Sequence, residues 1–426
     1  MLYESWRRTA RSHPDHLALW DLAQNHCWTF AQLVSATVNG PRAADGIAFP
    51  SGASVDFVFS VLRAWRSGQV VCPLEPDQER PQICQELPRE VVHLKTTSAT
   101  TGVPRLVAFT AAQLAADAQN IVGTMGLRPD WPNLGVISLA HSYGFSNLVL
   151  PLLLHGIPLI LAGSALPEAI RRASEGHPAI TLAAVPALWQ TWQQAGVIPS
   201  NIRLAISAGA PLPLALEQNI FARHGLKLHN FYGSSECGGI AYDATTEPRR
   251  DAACAGTPLR NVQVSIAQDG CIEARGQAVG WGYWPEPAGN LCGGVFRSGD
   301  LGEISEGRVY LRGRATDQIN VAGRKVLPEA IEKVLAAHPH VRACLAFGVP
   351  SADTQRGETI VACVAGNPQV TGESLKQFAM DKLPAWQVPR KWWLVDSLDT
   401  NHRGKISRAE WRKRFLEKAG GGKDEV

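Results

Sequence analysis

The sequence predicts an α/β protein with a partly parallel sheet, ending in a smaller α+β module. Two observations predict this. Short apolar, strand-like runs alternate with helix-periodic stretches through the first 95 residues, the order expected of β-helix-β units. From Pro328 onward a helix, two strands, a second helix and a last short strand follow one another closely, enough for a small second core. A length of 426 residues allows one large unit or two to three domains.

The elements read as follows. Trp28-Thr29-Phe30 is the end of a strand, with Thr29 capping the next helix. Ile47-Ala48-Phe49 followed by Ser51-Gly52 is a strand and a turn. Phe57, Val58, Val61, Leu62 and Trp65 then mark one helix face. Gln69 to Leu74 reads as a buried strand. Val91-Val92-His93-Leu94 and Leu106-Val107-Ala108-Phe109 are two strands flanking a hydroxyl-rich loop. Thr110 and Gln113 form a capping box, and Leu114, Ala118, Ile121, Val122 and Met125 stripe the helix behind it. Val136 to Ala140 is expected to be a strand, as is Ile202 to Ile206. In the terminal module, Pro328 opens a helix, strands run from Ala343 to Val349 and Thr359 to Val364, a helix from Glu373 to Leu383, and Leu394-Val395 closes it.

Composition narrows the function classes. The hydrophobic content is 45% and the charged content 19%, which suits a compact enzyme and not a disordered chain. A net charge of +3, with signs interspersed, predicts no nucleic-acid partner. Nine scattered cysteines without a Cys-x-x-Cys pair point to reduced thiols in a cytoplasmic protein, and Glu4, Arg7, Arg8 and Arg11 leave no apolar signal segment. Trp131 to Pro167 carries no Asp, Glu, Lys or Arg, but Pro151 and His155-Gly156-Ile157-Pro158 interrupt it. A buried strand, helix and strand are expected there, and no membrane span. No Walker loop, dinucleotide fingerprint, Gly-x-Ser-x-Gly elbow or clustered His/Cys metal site is present.

The informative stretch is Thr96 to Arg105. A small loop between two strands can turn its backbone N–H groups outward around an anion. Thr97, Ser98, Thr100 and Thr101 can donate to phosphate oxygens, Gly102 permits close backbone approach, and Arg105 can pair with phosphate bidentately. Other segments have matching chemistry. In Leu228 to Glu236, Asn230 can read an adenine amine and Phe231-Tyr232-Gly233 offers an aromatic face. Ser235 can bond a phosphate, and Glu236 is a hard oxygen ligand for Mg²⁺. Gly209-Ala210-Pro211 is a small-residue bend on which a flat ring can lie.

The loop resembles the phosphate-binding motif of the adenylate-forming enzymes: acyl- and aryl-CoA ligases, peptide-synthetase adenylation domains and luciferases. Their usual form is Ser/Thr-Ser/Thr-Gly-Ser/Thr-Thr-Gly-x-Pro-Lys, so Ala99 replaces a Gly and Arg105 a Lys. The companion motifs stand in order. His141-Ser142-Tyr143-Gly144 is similar to the segment that walls the acid pocket, and Gly209-Ala210-Pro211 to the adenine-lining bend. Asn230 to Glu236 resembles Asn-x-Tyr-Gly-x-Thr-Glu. Gly280 to Pro285 resembles a Gly-Tyr-Trp stretch with a structural role, and Ser298-Gly299-Asp300 resembles Thr-Gly-Asp. Gly313-Arg314 through Gly323 is similar to the hinge motif, with Asn320 in place of Lys. Gly404-Lys405-Ile406-Ser407-Arg408 resembles the terminal Gly-Lys-Ile-x-Arg.

The resemblance implies a fold and a chemistry. A large N-terminal domain of packed sheets and helices would span 1–316, and a mobile C-terminal domain 317–426. The phosphate loop comes early for the family, implying a shortened N-terminal region. ATP with Mg²⁺ would convert a small carboxylic acid to an acyl-adenylate, and CoA or a carrier protein's phosphopantetheine would take the acyl group. Lys405 would neutralise charge in adenylation, with Glu236, Ser235 and His141 beside it. Asp300 would hold the ribose and Arg314 would contact ribose and phosphate. Asp317 would be the hinge and Gly323 would leave room for the pantetheine arm. Segment 141–147 lacks the Asp typical of amino-acid activation, so an aryl or acyl acid is expected, aryl first. Arg324, Lys325 and Lys333 suit either CoA phosphate or an acidic carrier. A binding-only relative with degraded catalysis is the alternative, given Ala99, Arg105 and Asn320.

Overall fold

The computed structural model describes residues 1–40, 46–83, 85–97, 105–351, 357–399 and 406–421. Contacts divide the chain into two compact units, the first made of Met1–Ala267, Glu273–Ser298 and Ile304–Tyr310. The second comprises Gln268–Ile272, Gly299–Glu303 and Leu311–Val426.

In the first unit, a large sheet lays Leu228–Ser234, Ile202–Ala208, Ile180–Ala184, Asn133–Gly135, Leu159–Leu161 and Leu17–Asp21 side by side, every pair parallel. His26–Thr29 closes one side antiparallel, and Gly238–Tyr242 and Cys254–Pro258 extend the other. These strands are apolar runs because both faces are covered. Leu182, Ala205 and Leu228 pack with Trp189, Trp192 and Ile220 of helices on one side. Ala183, Ile206 and Phe231 pack with Ile121 and Met125 of the helix Ala111–Met125 on the other. The capping boxes at Thr29 and Thr110 form as the sequence predicts.

A smaller sheet takes the order Gly282–Trp284, Leu106–Thr110, Val91–Thr96, Val70–Val71, Ile47–Ala48. Leu106–Thr110 and Val91–Thr96 run antiparallel, so the hydroxyl-rich loop joins two neighbouring strands. The expected strand at 69–74 is reduced to Val70–Val71. The expected strand at 136–140 is displaced to Asn133–Gly135. Ser138 explains the early exit: its Oγ accepts the Ala140 N–H (3.2 Å) and donates to Glu75 Oε2 (3.0 Å), which competes with ladder pairing.

The second unit contains a three-stranded sheet of Val341–Pro350, Glu358–Gly366 and Lys391–Val395. Alternate residues face two cores. Ala346, Ile360, Ala362 and Val364 pack on Ile331, Leu335, Leu375 and Ala379 of the helices Pro328–Ala336 and Gly372–Met380. Leu345, Phe347, Val361 and Cys363 pack on Trp411 and Phe415 of the terminal helix Arg408–Gly421.

Candidate active site

The small sheet pairs the two ends of the loop expected to bind phosphate. Ser98, Thr100, Thr101 and Gly102 lie outside the described residues; Thr97 and Arg105 are the loop's described ends. Thr97 N–H donates to the Arg105 carbonyl (2.9 Å), and Arg105 N–H donates to Thr97 Oγ1 (3.1 Å). The Arg105 guanidinium lies over the ring of Tyr283, its Cζ 3.9 Å from the centroid. The Tyr283 hydroxyl in turn donates to Glu236 Oε1 (3.1 Å). Gly280 N–H donates to the Glu236 carbonyl at 2.8 Å. A Cβ on Gly280 would stand 3.0 Å from that oxygen and 2.9 Å from Val107, so only glycine allows the approach. Three motifs separated in sequence therefore meet around Glu236. Tyr283, taken from the sequence as structural, is the residue that sequence reasoning missed; its one signal was a phenol set between tryptophans.

Beneath this surface lies a buried charge pair. Lys95 Nζ is 3.7 Å from Asp117 Oδ2, and Ser146 Oγ sits between them, 3.2 Å from Lys95 and donating to Asp117 at 2.6 Å. Asp117 Oδ1 accepts the Gly239 N–H (3.3 Å), three residues beyond Glu236. Burial lowers the Lys95 pKa, while Asp117 and, more weakly, Cys237 and Glu236 oppose the drop. His93, fully buried and tilted against Phe145 at 4.4 Å, is held well below the usual histidine range by burial and then by the Lys95 charge. Burial also pushes the Cys237 thiol up to about 12, which removes it as a nucleophile near neutral pH.

The adenine-type residues leave the carboxyl ends of adjacent parallel strands, where α/β sheets bind ligands. Gly209, Ala210 and Pro211 follow Ile202–Ala208. Its neighbour Leu228–Ser234 carries Asn230, Phe231, Tyr232 and Gly233 and leads to Ser235 and Glu236. The Asn230 amide nitrogen donates to the Cys254 carbonyl (3.2 Å), which fixes the amide so that its oxygen is the acceptor left for a ligand amine. Arg249 holds the same carbonyl (2.8 Å) and that of Leu212 (2.7 Å), and pairs with Glu217 at 2.9 Å. Lys227 joins Glu217 and, at 2.6 Å, Asp243. All four charged side chains are buried, and together they pin the segments after the bend and beside Asn230.

His141 caps the helical turn Ser142–Gly144, its Nδ1 accepting the Tyr143 N–H at 3.2 Å. The Tyr143 ring packs on Phe231 with centroids 6.0 Å apart, so the segment expected to wall the acid pocket and the Asn-Phe-Tyr-Gly segment are brought together. The Tyr143 hydroxyl and Asn147 Oδ1 are buried without hydrogen-bond partners among the described residues. A separate cleft of about 260 Å³, lined by Gly52, Glu75, Gly135, Ser138 and Gly163, holds none of the predicted site residues.

In the second unit, Asp300 Oδ1 and Arg314 Nε pair at 3.1 Å, joining two predicted nucleotide contacts. Gly323 (φ +79°) and Ala322 (φ +52°) form the tight turn between Ile319–Val321 and Arg324–Val326, and the turn alone requires the glycine's left-handed backbone. Asp317 pairs with Arg408, whose guanidinium also meets Glu332 (2.9 Å) and Glu329 (3.1 Å). Lys405 lies outside the described residues.

A family model of AMP-binding enzymes matches residues 79–284, and one of the AMP-binding enzyme C-terminal domain matches 330–405. A probable 2-succinylbenzoate–CoA ligase of Mycobacterium tuberculosis is 30% identical over 356 residues, which cover 79% of this chain and 88% of that protein. The chain belongs to the adenylate-forming, AMP-binding enzyme family. A feruloyl-CoA synthase of Amycolatopsis is 29% identical to this AMP-binding enzyme over 349 residues, 76% of the chain and 70% of the synthase. ATP-bound MatB from Rhodopseudomonas palustris shares its fold with a TM-score of 0.84 at 21% identity, covering 97% of this chain and 99% of MatB. MenE from Bacillus subtilis, in complex with its acyl-adenylate intermediate, superposes at 0.79 with 20% identity, covering 96% and 97%. The expected α/β fold, with a large sheet-rich N-terminal domain and a small C-terminal one, is therefore the observed one. Among the described residues, no helix is long and apolar enough to cross a membrane. No cluster of three His, Cys, Asp or Glu forms a metal cage there either. No disulfide joins the eight described cysteines.

Proposed function

We propose that this AMP-binding enzyme activates an aryl carboxylic acid with Mg·ATP and passes the acyl group to CoA. The observation that carries the site assignment is the convergence of Arg105, Tyr283 and Glu236 at the neck of the phosphate loop. A carboxylate oxygen of the acid attacks the α-phosphorus of ATP, the bond to the bridging α–β oxygen breaks, and pyrophosphate leaves with the electron pair. The thiolate of CoA then attacks the acyl carbonyl of the acyl-adenylate, and AMP departs.

The chain contributes positioning and electrostatics. Thr97, Ser98, Thr100, Thr101 and Gly102 cradle the β- and γ-phosphates with Arg105. Gly209, Ala210 and Pro211 bed the adenine beside Asn230, Phe231, Tyr232 and Gly233, and Ser235 bonds the α-phosphate. Asp300 holds the ribose hydroxyls, with Arg314 alongside to reach ribose and phosphate. Lys405 balances the charge that develops between acid and α-phosphate. Mg²⁺ supplies charge neutralisation at the phosphate oxygens. Glu236 fits it as a ligand, because the residue is only partly buried and its carboxylate accepts from a phenol, with no ion pair among the described residues. The thiol step follows rotation of the 317–426 domain about Asp317, past Gly323.

The preference for an aryl acid is supported by the Tyr143–Phe231 pair and by similarity to a probable 2-succinylbenzoate–CoA ligase and a feruloyl-CoA synthase. The unpartnered Tyr143 hydroxyl and Asn147 oxygen suit a polar group on that acid. His141 shapes the mouth of this wall. Pyrophosphate release from Mg·ATP across aryl, acyl and amino acids, with and without CoA, tests the proposal. Release with aryl acids that CoA stimulates is the expected result. Stimulation only by a phosphopantetheine carrier protein would replace CoA as acceptor, and tight ATP binding without release would leave a binding-only relative.

A further inference from the structure

We infer that Tyr283 is a positioning residue for adenylation, holding the Glu236 carboxylate and the Arg105 guanidinium in fixed register. The inference rests on the assignment of Glu236 to Mg²⁺ and Arg105 to the phosphates. Tyr283 is only 4% exposed, in the strand Gly282–Trp284, and opposite Val107 in the small sheet. Backbone bonds fix that strand on both sides: Trp281 N–H donates to Ala108 (2.8 Å) and Gly280 N–H to Glu236 (2.8 Å). The ring thus has one place to be, with Arg105 stacked 3.9 Å from its centroid and Glu236 Oε1 3.1 Å from its hydroxyl.

The proton's place follows from the chemistry. The phenol is the donor of this bond and a Glu236 carboxylate oxygen its acceptor. The bond at Oε1 restricts the rotation of the Glu236 carboxylate and leaves it acceptor capacity for a ligand. The other end accounts for the arginine where the motif's usual form has lysine. A planar guanidinium can lie flat on the ring and still direct its N–H edge at phosphate oxygens, and an ammonium has no such face. Tyr283 therefore couples two residues of the phosphate site that do not touch one another directly.

The test is calorimetric binding of ATP as a function of Mg²⁺, with pyrophosphate release measured in parallel. It compares Tyr283→Phe, Arg105→Lys and Glu236→Gln with wild type in the full chain. Tyr283→Phe keeps the ring and removes the bond, and should raise half-saturating Mg²⁺ by about tenfold while metal-free ATP binds within about twofold of wild type. Arg105→Lys should raise KM for ATP about three- to tenfold, and this penalty should vanish in a Tyr283→Leu background. If Glu236→Gln shifts the Mg²⁺ dependence and Tyr283→Phe does not, the positioning role is overturned and the metal-ligand assignment stands. If Glu236→Gln leaves the Mg²⁺ dependence unchanged, both are overturned. An Arg105→Lys penalty of equal size with and without the tyrosine ring would overturn the stacking arm.

Discussion

His93 shows how one residue beneath the site sets a limit on the molecule. It lies two positions before Lys95 in the strand Val91–Thr96, fully buried, with both ring nitrogens unpartnered among the described residues. It is thus neutral in the folded protein, its pKa held well below 6.5 by burial and by Lys95. A depressed histidine contributes stability that is present above its unfolded-state pKa, near 6.5, and is lost as pH falls through its folded-state value. Replacing His93 by Phe keeps a ring beside Phe145 and removes the titration. The loss of thermal stability on acidification below pH 6.5 should then be shallower than in wild type, though not abolished. His229, His155 and His177 are also depressed by burial and contribute in the same direction. Melting curves of the two proteins that fall in parallel from pH 7 to pH 5 would contradict this account.

Two elements are proposed to act through backbone placement. Around the adenine-type segments, Glu217 of the helix Leu214–His224 bridges Arg249 and Lys227, and Arg249 holds the Leu212 and Cys254 carbonyls. Removing Glu217 would leave two buried cations short of a partner, which costs about 3–5 kcal/mol. Glu217→Ala should therefore melt well below wild type and bind ATP more weakly; unchanged melting would dismiss the network as a support. The hairpin Ile319–Val321/Arg324–Val326 poses a different problem, because its turn needs a left-handed residue at Gly323 whatever the pantetheine does. Gly323→Asn tolerates that backbone and adds bulk, and among the described residues beyond its chain neighbours no atom lies within 4 Å of the added Cβ. It should leave adenylation intact and slow thioester formation about tenfold or more. A normal thiol step would remove Gly323 from the acceptor path.

At the scale of the whole molecule, the proposed division of labour predicts that the two half-reactions separate. Lys405→Ala should lower adenylation about 10²- to 10³-fold and leave thioester formation from supplied acyl-adenylate within about twofold; equal loss of both would sink its assigned role. Much of this molecule was legible in the sequence, since the loops that carry chemistry follow strands whose apolar runs are plain, as at Ile202–Ala208 and Leu228–Ser234. Less legible were features that depend on chain segments far apart. The strand expected at 136–140 yields to a local side-chain bond from Ser138, and Tyr283 becomes a site residue only when the small sheet sets it beside Leu106–Thr110. Lys95 and Asp117 carry no signal in the sequence, because only the fold buries these strand and helix charges together. The most direct test of the central claim is isotopic. A carboxylic acid labelled with ¹⁸O in its carboxylate is turned over with unlabelled Mg·ATP and CoA, and the AMP released is weighed by mass spectrometry. Attack on the α-phosphorus predicts one ¹⁸O in the AMP and none in pyrophosphate. Label in inorganic phosphate, with ADP as the nucleotide product, would contradict adenylate formation.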